Sequence, residues 1–446
     1  MKEPKITVGI MSGRKIEFSF LHAYLFDNKE VFGKQSAEFA EGKISWNDQL
    51  FDELIFLPQN EKNDAFELFD VTIGIQFHWE RKENQRFNGA LKFIVEADQI
   101  TAINIISTEA YLISVISSEM SATASLELLK AHAVISRSWL LSPIISPKED
   151  EKNNSVNVKN ADAKSISSNS EVEEHIVWYE RDAHTNYNVC ADDHCQRYQG
   201  ITRASTEKVR QAVAETHGEV LTYDNEICDA RFSKCCGGVF EEFQYCWDDA
   251  FYPYLKKGRD SKNDSIVPDL KLEEDAQKWI RSSPDAFCNT KNKTVLAQVL
   301  NNYDQETTDF YRWKKEYSQD EISALIFRKS GVNYGKILDL IPLERGTSGR
   351  IVKLKIIGTE KTKIIGKELE IRRTLSESHL YSSAFVVDKE FSDSSIVPSK
   401  FILTGAGWGH GVGLCQIGAA VMGDEGYAYH QILLHYYMGA SIDKLY

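Results

Sequence analysis

Glu119 stands in the run VISSEMSATASLELLKAHAVISRSW, between two segments of helical periodicity. A carboxyl there can face a cleft among apolar neighbours and carry a proton, as a general acid must. A Glu taken alone in one sequence is more often solvated or part of a helix cap, so its surroundings must supply the case. Lys130 and Arg137 follow two helical turns apart and share one face. Two cations on an otherwise apolar helix need carboxylates or a ligand, so they either form structural ion pairs or orient a substrate. His132 points elsewhere and reads as packing.

A second group lies in HTNYNVCADDHCQRYQG, where His184, Cys190, His194 and Cys195 fall within twelve positions. Imidazole and thiolate are ligands that suit zinc, although the spacing matches no C-x-x-C finger and two reduced cysteines remain open. Asp192 and Asp193 read as turn residues. Gln196 and Tyr198 alternate on an extended segment, so both can project into a cleft or both can pack into a sheet. Cys235 and Cys236 precede Gly237-Gly238, with Cys228 and Cys246 near in sequence; buried thiols are the expectation, with a metal site or a disulfide as the alternatives.

The stretch GAGWGHGVGLCQIGAAVMG repeats glycine at 405, 407, 409, 411 and 413. In an extended chain that period leaves one face bare and projects Trp408 and His410 from the other. The bare face serves either tight packing under a sheet or close approach to a ligand.

The elements that must hold these residues predict an α+β fold: β-rich mixed sheets, a few buried helices and two lobes around a substrate groove. β-rich runs cover Lys5 to Phe56 and Phe69 to Val95, helical ones Glu109 to Ile116 and Ser125 to Leu141, with Thr123 or Ser125 as cap of the latter. The second of these helices is apolar on most faces, which predicts burial. Further helices are expected at Lys271 to Ile280, Ser318 to Phe327 and Tyr429 to Tyr437, with strands at Val220 to Tyr223 and from Ile351 to Phe385. The polar tract 146–174 reads as a disordered surface insertion. The expected organisation is a β-rich part over 1–95, a core over 96–255 carrying that insertion, a second α+β lobe over 256–400, and a Gly-rich motif with a helix over 401–446.

The net charge of −14 excludes the basic surface that nucleic acid demands. No stretch approaches the roughly 18 apolar residues of a membrane helix, and the opening MKEPKITVGI has no run of signal-peptide length. Eight cysteines are too few for a disulfide scaffold of 446 residues but enough for a metal site.

Three separated motifs together resemble the SpoIID/LytB family of cell-wall proteins. They are EAYLISVISSEM with LKAHAVISRSW, DDHCQRYQG with VAETHGEVLTYDNE, and GWGHGVGLCQIGAAVM. The resemblance runs from about Phe87 to the C terminus. It implies a peptidoglycan lytic transglycosylase that cuts between N-acetylmuramic acid and N-acetylglucosamine and leaves 1,6-anhydro ends, with the family's catalytic glutamate at Glu119. It further implies a structural zinc held by His184, Cys190 and Cys195, with His194 spare, and substrate contacts from Lys130, Arg137, Gln196, Tyr198, Trp408 and His410. Glycan strands and a cell-wall amidase are the implied partners, and the cell envelope is the implied location. Ser121 stands where the family has proline, and AHAVISRSW replaces AQAVAARTY while keeping Lys130 and Arg137. Two other readings stay open: an amidase enhancer that binds without cutting, and a zinc amidase with an open fourth ligand position.

Overall fold

Strict alternation puts Ile16, Phe18 and Phe20 on one face of a strand, and all three are buried while Lys15 and Glu17 are exposed. The same pattern recurs through the first hundred residues and builds a sheet around an aromatic core. The computed structural model describes residues 1–74, 80–121, 123–145, 172–179, 184–192, 194–202, 205–262, 266, 268–299, 307–392 and 395–446. It contains helices and several sheets, so the α+β expectation holds. Among the described residues, no helix is long and apolar enough to cross a membrane. The chain divides into two units. The first comprises Met1–Arg137, Arg181–Val220 and Lys444–Tyr446, the second Ser138–Glu180 and Leu221–Asp443.

The first unit is built on ten successive strands: β1 (Lys5–Gly13), β2 (Lys15–Phe26), β3 (Lys29–Ala40), β4 (Lys43–Trp46), β5 (Gln49–Phe51), β6 (Glu53–Pro58), β7 (Ala65–Ile73), β8 (Arg81–Asn88), β9 (Ala90–Glu96) and β10 (Gln99–Ser107). β2 changes partner along its length. Phe18 to Phe20 pair with β7, and after an irregularity Tyr24 and Leu25 pair with β6. Phe18 packs 5.0 Å from Phe93 and Phe20 stacks 4.5 Å from Tyr24, ring centre to ring centre. β10 lies between β9 and β1, with Lys5 opposite Ser107.

α1 (Thr108–Glu119) starts directly after β10, and α2 (Leu126–Ile145) follows, its first turn capped by Ser125, whose Oγ accepts from the Leu128 N–H at 3.3 Å. α2 is buried without a break from Ala131 to Leu141, as its apolar composition predicts. His132 is fully buried, its Nδ1 3.2 Å from the Ser136 hydroxyl, which is the packing role expected of it. α3 (Glu207–Glu215) takes its N-cap from Thr206.

In the second unit, Ile337–Arg345, Ile351–Gly358 and Thr362–Gly366 form an antiparallel sheet. Arg312–Ser318 and Phe385–Phe391 flank Pro398–Ala406 in another. Trp313, Ile326, Ile351, Leu354, Phe385 and Phe401 share one core. The helix Gln319–Ser330 begins with a capping box between Ser318 and Glu321. The β-rich stretch from Ile351 to Phe385 also holds a helix, Glu368–Thr374, with Glu368 and Glu370 in its first turn and Arg372 and Arg373 in its last, as the helix dipole favours. One expectation needs correction here. The polar tract 146–174 ends in structure. Its residues 146–171 lie outside those described, but Glu173–Ile176 forms an edge strand parallel to Thr362–Gly366, with Glu173 paired to Lys361 and Lys363.

The Gly-rich stretch is not the regular extended chain that its period suggests. Strand geometry stops at Ala406, and Gly407, Gly409, Gly411 and Gly413 all take positive φ. At Gly411 a Cβ would lie 2.4 Å from the buried Arg350 guanidinium. A Gly411→Ala variant is therefore expected to lose about 2 kcal/mol or more in urea unfolding, from left-handed backbone strain and displacement of Arg350 together. An unchanged midpoint would show that this turn does not need its glycine.

Candidate active site

α1 positions Glu119 by where it starts and where it stops. Its start is fixed by Thr108, whose hydroxyl donates to Pro4 O at 2.9 Å, and by the Glu109 N–H, which donates to Glu3 Oε1 at 2.9 Å. Its stop is Met120, extended at φ −110°, ψ 150°. Glu119 thus occupies the last turn, where the helix dipole gives a carboxylate no stabilisation. Helix energetics do not account for a Glu there. It is half-buried, and its Oε1 accepts the Arg197 N–H at 3.3 Å.

The segment that supplies this N–H is itself anchored. The short strand Val189–Cys190 pairs in parallel with β1, Val8 opposite Val189 and Gly9 opposite Cys190. Tyr187 lies over Gly9 so closely that a Cβ there would sit 2.5 Å from its ring. The Tyr198 N–H returns to Ala191 O at 3.0 Å, and the Gln199 N–H donates to Ser114 Oγ on α1 at 3.1 Å. Ala191 and Tyr198 are thus held together, and the segment after them is tied to the same helix that carries Glu119.

Beside this segment four donors converge. His184, Cys190, His194 and Cys195 place one ligand atom each within 4.8 Å of the others. Cys195 Sγ is 3.5 Å from His184 Nε2 and 3.5 Å from His194 Nδ1, and Cys190 Sγ is 3.9 Å from His194 Nδ1. The neighbouring Cys195, followed by the two imidazoles, pulls the Cys190 thiol down to about 2, against the opposing effect of burial. Two sulfurs and two imidazoles at this spacing are the donor set of a closed tetrahedral zinc site. His194, left aside by the sequence reading, lies as close to this group as the other three. A cavity of about 410 Å³ opens beside the loop, with Gly9, Val71, His184, Tyr187, His194 and Arg197 in its wall. Glu119 is not part of that wall; Arg197 links the two.

Residues 96–223 match the SpoIID family, described as stage II sporulation protein, and residues 241–413 match a domain of unknown function, DUF8618. The chain is 25% identical to the amidase enhancer of Bacillus subtilis (strain 168) over 52% of its length and 32% of that protein's. Stage II sporulation protein D of the same organism is 25% identical over 77% of this chain and 76% of its own length. An uncharacterized protein of Brachyspira hyodysenteriae is 25% identical over 80% of this chain and 72% of its own. This chain carries a SpoIID domain over residues 96–223. Its match to the first of these relatives spans about a third of that protein.

Within the SpoIID domain, several residues expected to meet substrate turn inward. The Arg137 side chain is wholly buried, donating from Nε and one terminal nitrogen to the two oxygens of Glu109 at 2.8 and 2.7 Å and from the other to Glu219 O at 2.8 Å. It is a structural cation. Gln196 and Tyr198 are also buried. The Tyr198 hydroxyl donates to Asn104 Oδ1 at 2.6 Å, its ring stacks 5.1 Å from Tyr111, and Gln196 Oε1 accepts from the Tyr111 hydroxyl at 3.3 Å. Their alternation reflects packing. Lys130 is paired with Glu215 at 2.6 Å and Glu127 at 3.1 Å; against the pull of burial, these two carboxylates raise its pKa and keep it charged.

Trp408 and His410 belong to the second unit, outside the SpoIID match. Trp408 stacks on Phe310 at 4.9 Å with 12° between the planes. Burial, and then Arg231, Arg350 and Arg372, push His410 well below the usual imidazole range. The neutral ring accepts the Val412 N–H on Nδ1 at 3.1 Å and packs 4.5 Å from Trp247. The residue that sequence reasoning missed in the SpoIID domain is Arg197, which acts through its backbone N–H, and a backbone donor has no signature in residue type.

Proposed function

We propose that this chain acts on bacterial peptidoglycan as a lytic transglycosylase, with Glu119 as its single acid and base. The SpoIID match over 96–223 and the amidase-enhancer and sporulation relatives support a role at the cell envelope. The observation that carries the finer reading is the carboxyl of Glu119 at the unstabilised end of α1, fixed by the backbone N–H of Arg197. Glu119 protonates the glycosidic oxygen, the bond from C1 of N-acetylmuramic acid breaks, and the N-acetylglucosamine hydroxyl leaves. The carboxylate then takes the proton of the C6 hydroxyl as O6 closes on C1, so one group serves both steps and no water is consumed. Mass spectrometry of the released ends tests this: 1,6-anhydro ends are expected, and reducing ends contradict it.

His184, Cys190, His194 and Cys195 fit zinc, which would supply a cross-link that holds the loop 190–197 in shape. With four protein donors the set is closed, which speaks against the zinc amidase reading, since that needs an open position. Cys195→Ser is expected to lower bound zinc and to reduce cleavage through the Arg197 N–H, with the unfolding transition of the second unit unchanged. Full activity after loss of that zinc would separate the metal from Glu119. The relative named amidase enhancer favours one alternative, a chain that binds wall and stimulates a partner amidase; it predicts no cleavage unless an amidase is added.

A further inference from the structure

Cys236, Asp260, Cys288 and Cys415 come from four separate stretches of the second unit and meet in its interior, none more than 3% exposed. Their ligand atoms all lie within 4.8 Å of one another. Cys236 Sγ is 3.6 Å from Cys288 Sγ and 3.5 Å from Asp260 Oδ2. A tetrahedral zinc with bonds of about 2.3 Å to sulfur and 2.0–2.2 Å to oxygen separates its sulfurs by about 3.8 Å and sulfur from oxygen by about 3.5 Å. A disulfide would need about 2.05 Å between sulfurs. The spacing is that of ligands around an ion.

The surroundings are arranged for anions. Cys236 Sγ accepts the Gly238 N–H at 3.3 Å, and Cys415 Sγ accepts the N–H groups of Cys236 at 3.3 Å and Gly418 at 3.5 Å, the latter from the first turn of the helix Gln416–Asp424. Asp260 Oδ2 accepts the Cys288 N–H at 2.9 Å, and Oδ1 accepts the Tyr436 hydroxyl at 2.7 Å, leaving the carboxylate oriented by outer contacts in the manner of metal ligands. The basic side chain facing it is His435, whose Nε2 is 3.9 Å from Oδ1. Thiolates and a carboxylate buried together are costly unless a cation joins them. Cys235, also buried, borders Cys288 and Cys415 from the next position in the chain.

We propose that Cys236, Asp260, Cys288 and Cys415 form a second, structural zinc site, closed to substrate, in the second unit. On binding, three S–H bonds give their protons to solvent as three Zn–S bonds form, and Asp260 supplies the fourth bond. The site is independent of the one in the SpoIID domain. Asp260 and Cys288 lie inside the 241–413 match, while Cys236 and Cys415 lie just beyond its two ends. Its consequence is local. The pair Cys235 and Trp408 exchange backbone hydrogen bonds at 2.9 and 2.7 Å, so an ion held by Cys236 and Cys415 fixes the Gly-rich turn that presents Trp408 and His410.

The test is elemental analysis of the full chain after reloading with Zn²⁺ alone. Two zinc ions per chain are expected, and one must persist when His184→Ala and Cys195→Ser empty the SpoIID-domain set. In that background Cys288→Ser removes the remaining zinc, whereas Cys228→Ala, a buried thiol outside the cluster, retains it. Where Cys288→Ser does not fold, cobalt(II) loaded into the His184→Ala/Cys195→Ser chain gives the reading, with a thiolate charge-transfer band and X-ray absorption showing three sulfurs and one oxygen. A chain that loses all zinc on the first two substitutions overturns the proposal. So does a Cys236–Cys288 disulfide found by mass spectrometry of the unreduced protein, or a cobalt shell without sulfur.

Discussion

Replacing Glu119 with Gln removes cleavage of peptidoglycan, by about 10²–10⁴-fold in rate if the carboxyl is the acid and base of both steps. The amide matches the carboxylate in size and still accepts the Arg197 N–H through its oxygen. The fold is therefore expected to survive, and binding of glycan with it. That combination separates chemistry from structure: thermal unfolding and glycan co-sedimentation stay at parental values while released fragments disappear. A variant that cuts at a tenth of the parental rate or faster would put the proton transfer on another group. Parental cleavage would leave Glu119 as a helix-end residue.

Arg137→Ala has its effect elsewhere, on stability. The guanidinium fills both oxygens of Glu109, and that carboxylate also receives the Gly218 N–H at 3.3 Å and the Tyr446 hydroxyl at 2.5 Å. One buried ion pair thus joins α1, α2, the turn after α3 and the C-terminal residue within the first unit. Removing one partner of a buried pair strands the other, and the expected loss is about 3–5 kcal/mol. Urea unfolding followed by near-ultraviolet signal reads it. Arg137→Lys recovers only part, since one ammonium cannot match the two-pronged contact. A loss below about 1 kcal/mol with a raised KM would return Arg137 to the substrate.

What could be read from the sequence follows the range of the interaction concerned. Strand and helix periodicity is local, and the strands from β1 to β9 with α1 and α2 were legible from it, whereas β10 lay beyond the β-rich runs. Ser125 as the α2 cap was legible for the same reason, because donor and acceptor are three residues apart. The partners of Lys130 and Arg137 were legible only in part, because Glu127 lies one turn from Lys130 but Glu215 and Glu109 lie far along the chain. The four donors His184, Cys190, His194 and Cys195 cluster within twelve positions and could be read together, whereas only packing showed His194 turning toward Cys195. The second cysteine cluster was opaque, because Cys288 and Cys415 lie 52 and 179 residues from Cys236. The glycine period misled for a different reason. Period two describes an extended chain for residues confined to negative φ, and glycine is not so confined. Glu119 was legible only through the SpoIID/LytB resemblance, and the geometry adds what the resemblance lacks, an anchored N–H that fixes its carboxyl.

The central claim is that the glycosidic bond is cut by the sugar's own O6 under the control of one carboxyl, and digestion of purified peptidoglycan in heavy-oxygen water tests it most directly. The predicted result is 1,6-anhydro ends without the isotope, produced by the parent and not by Glu119→Gln. Heavy oxygen at newly formed reducing ends would contradict it, since that label enters only when water attacks C1.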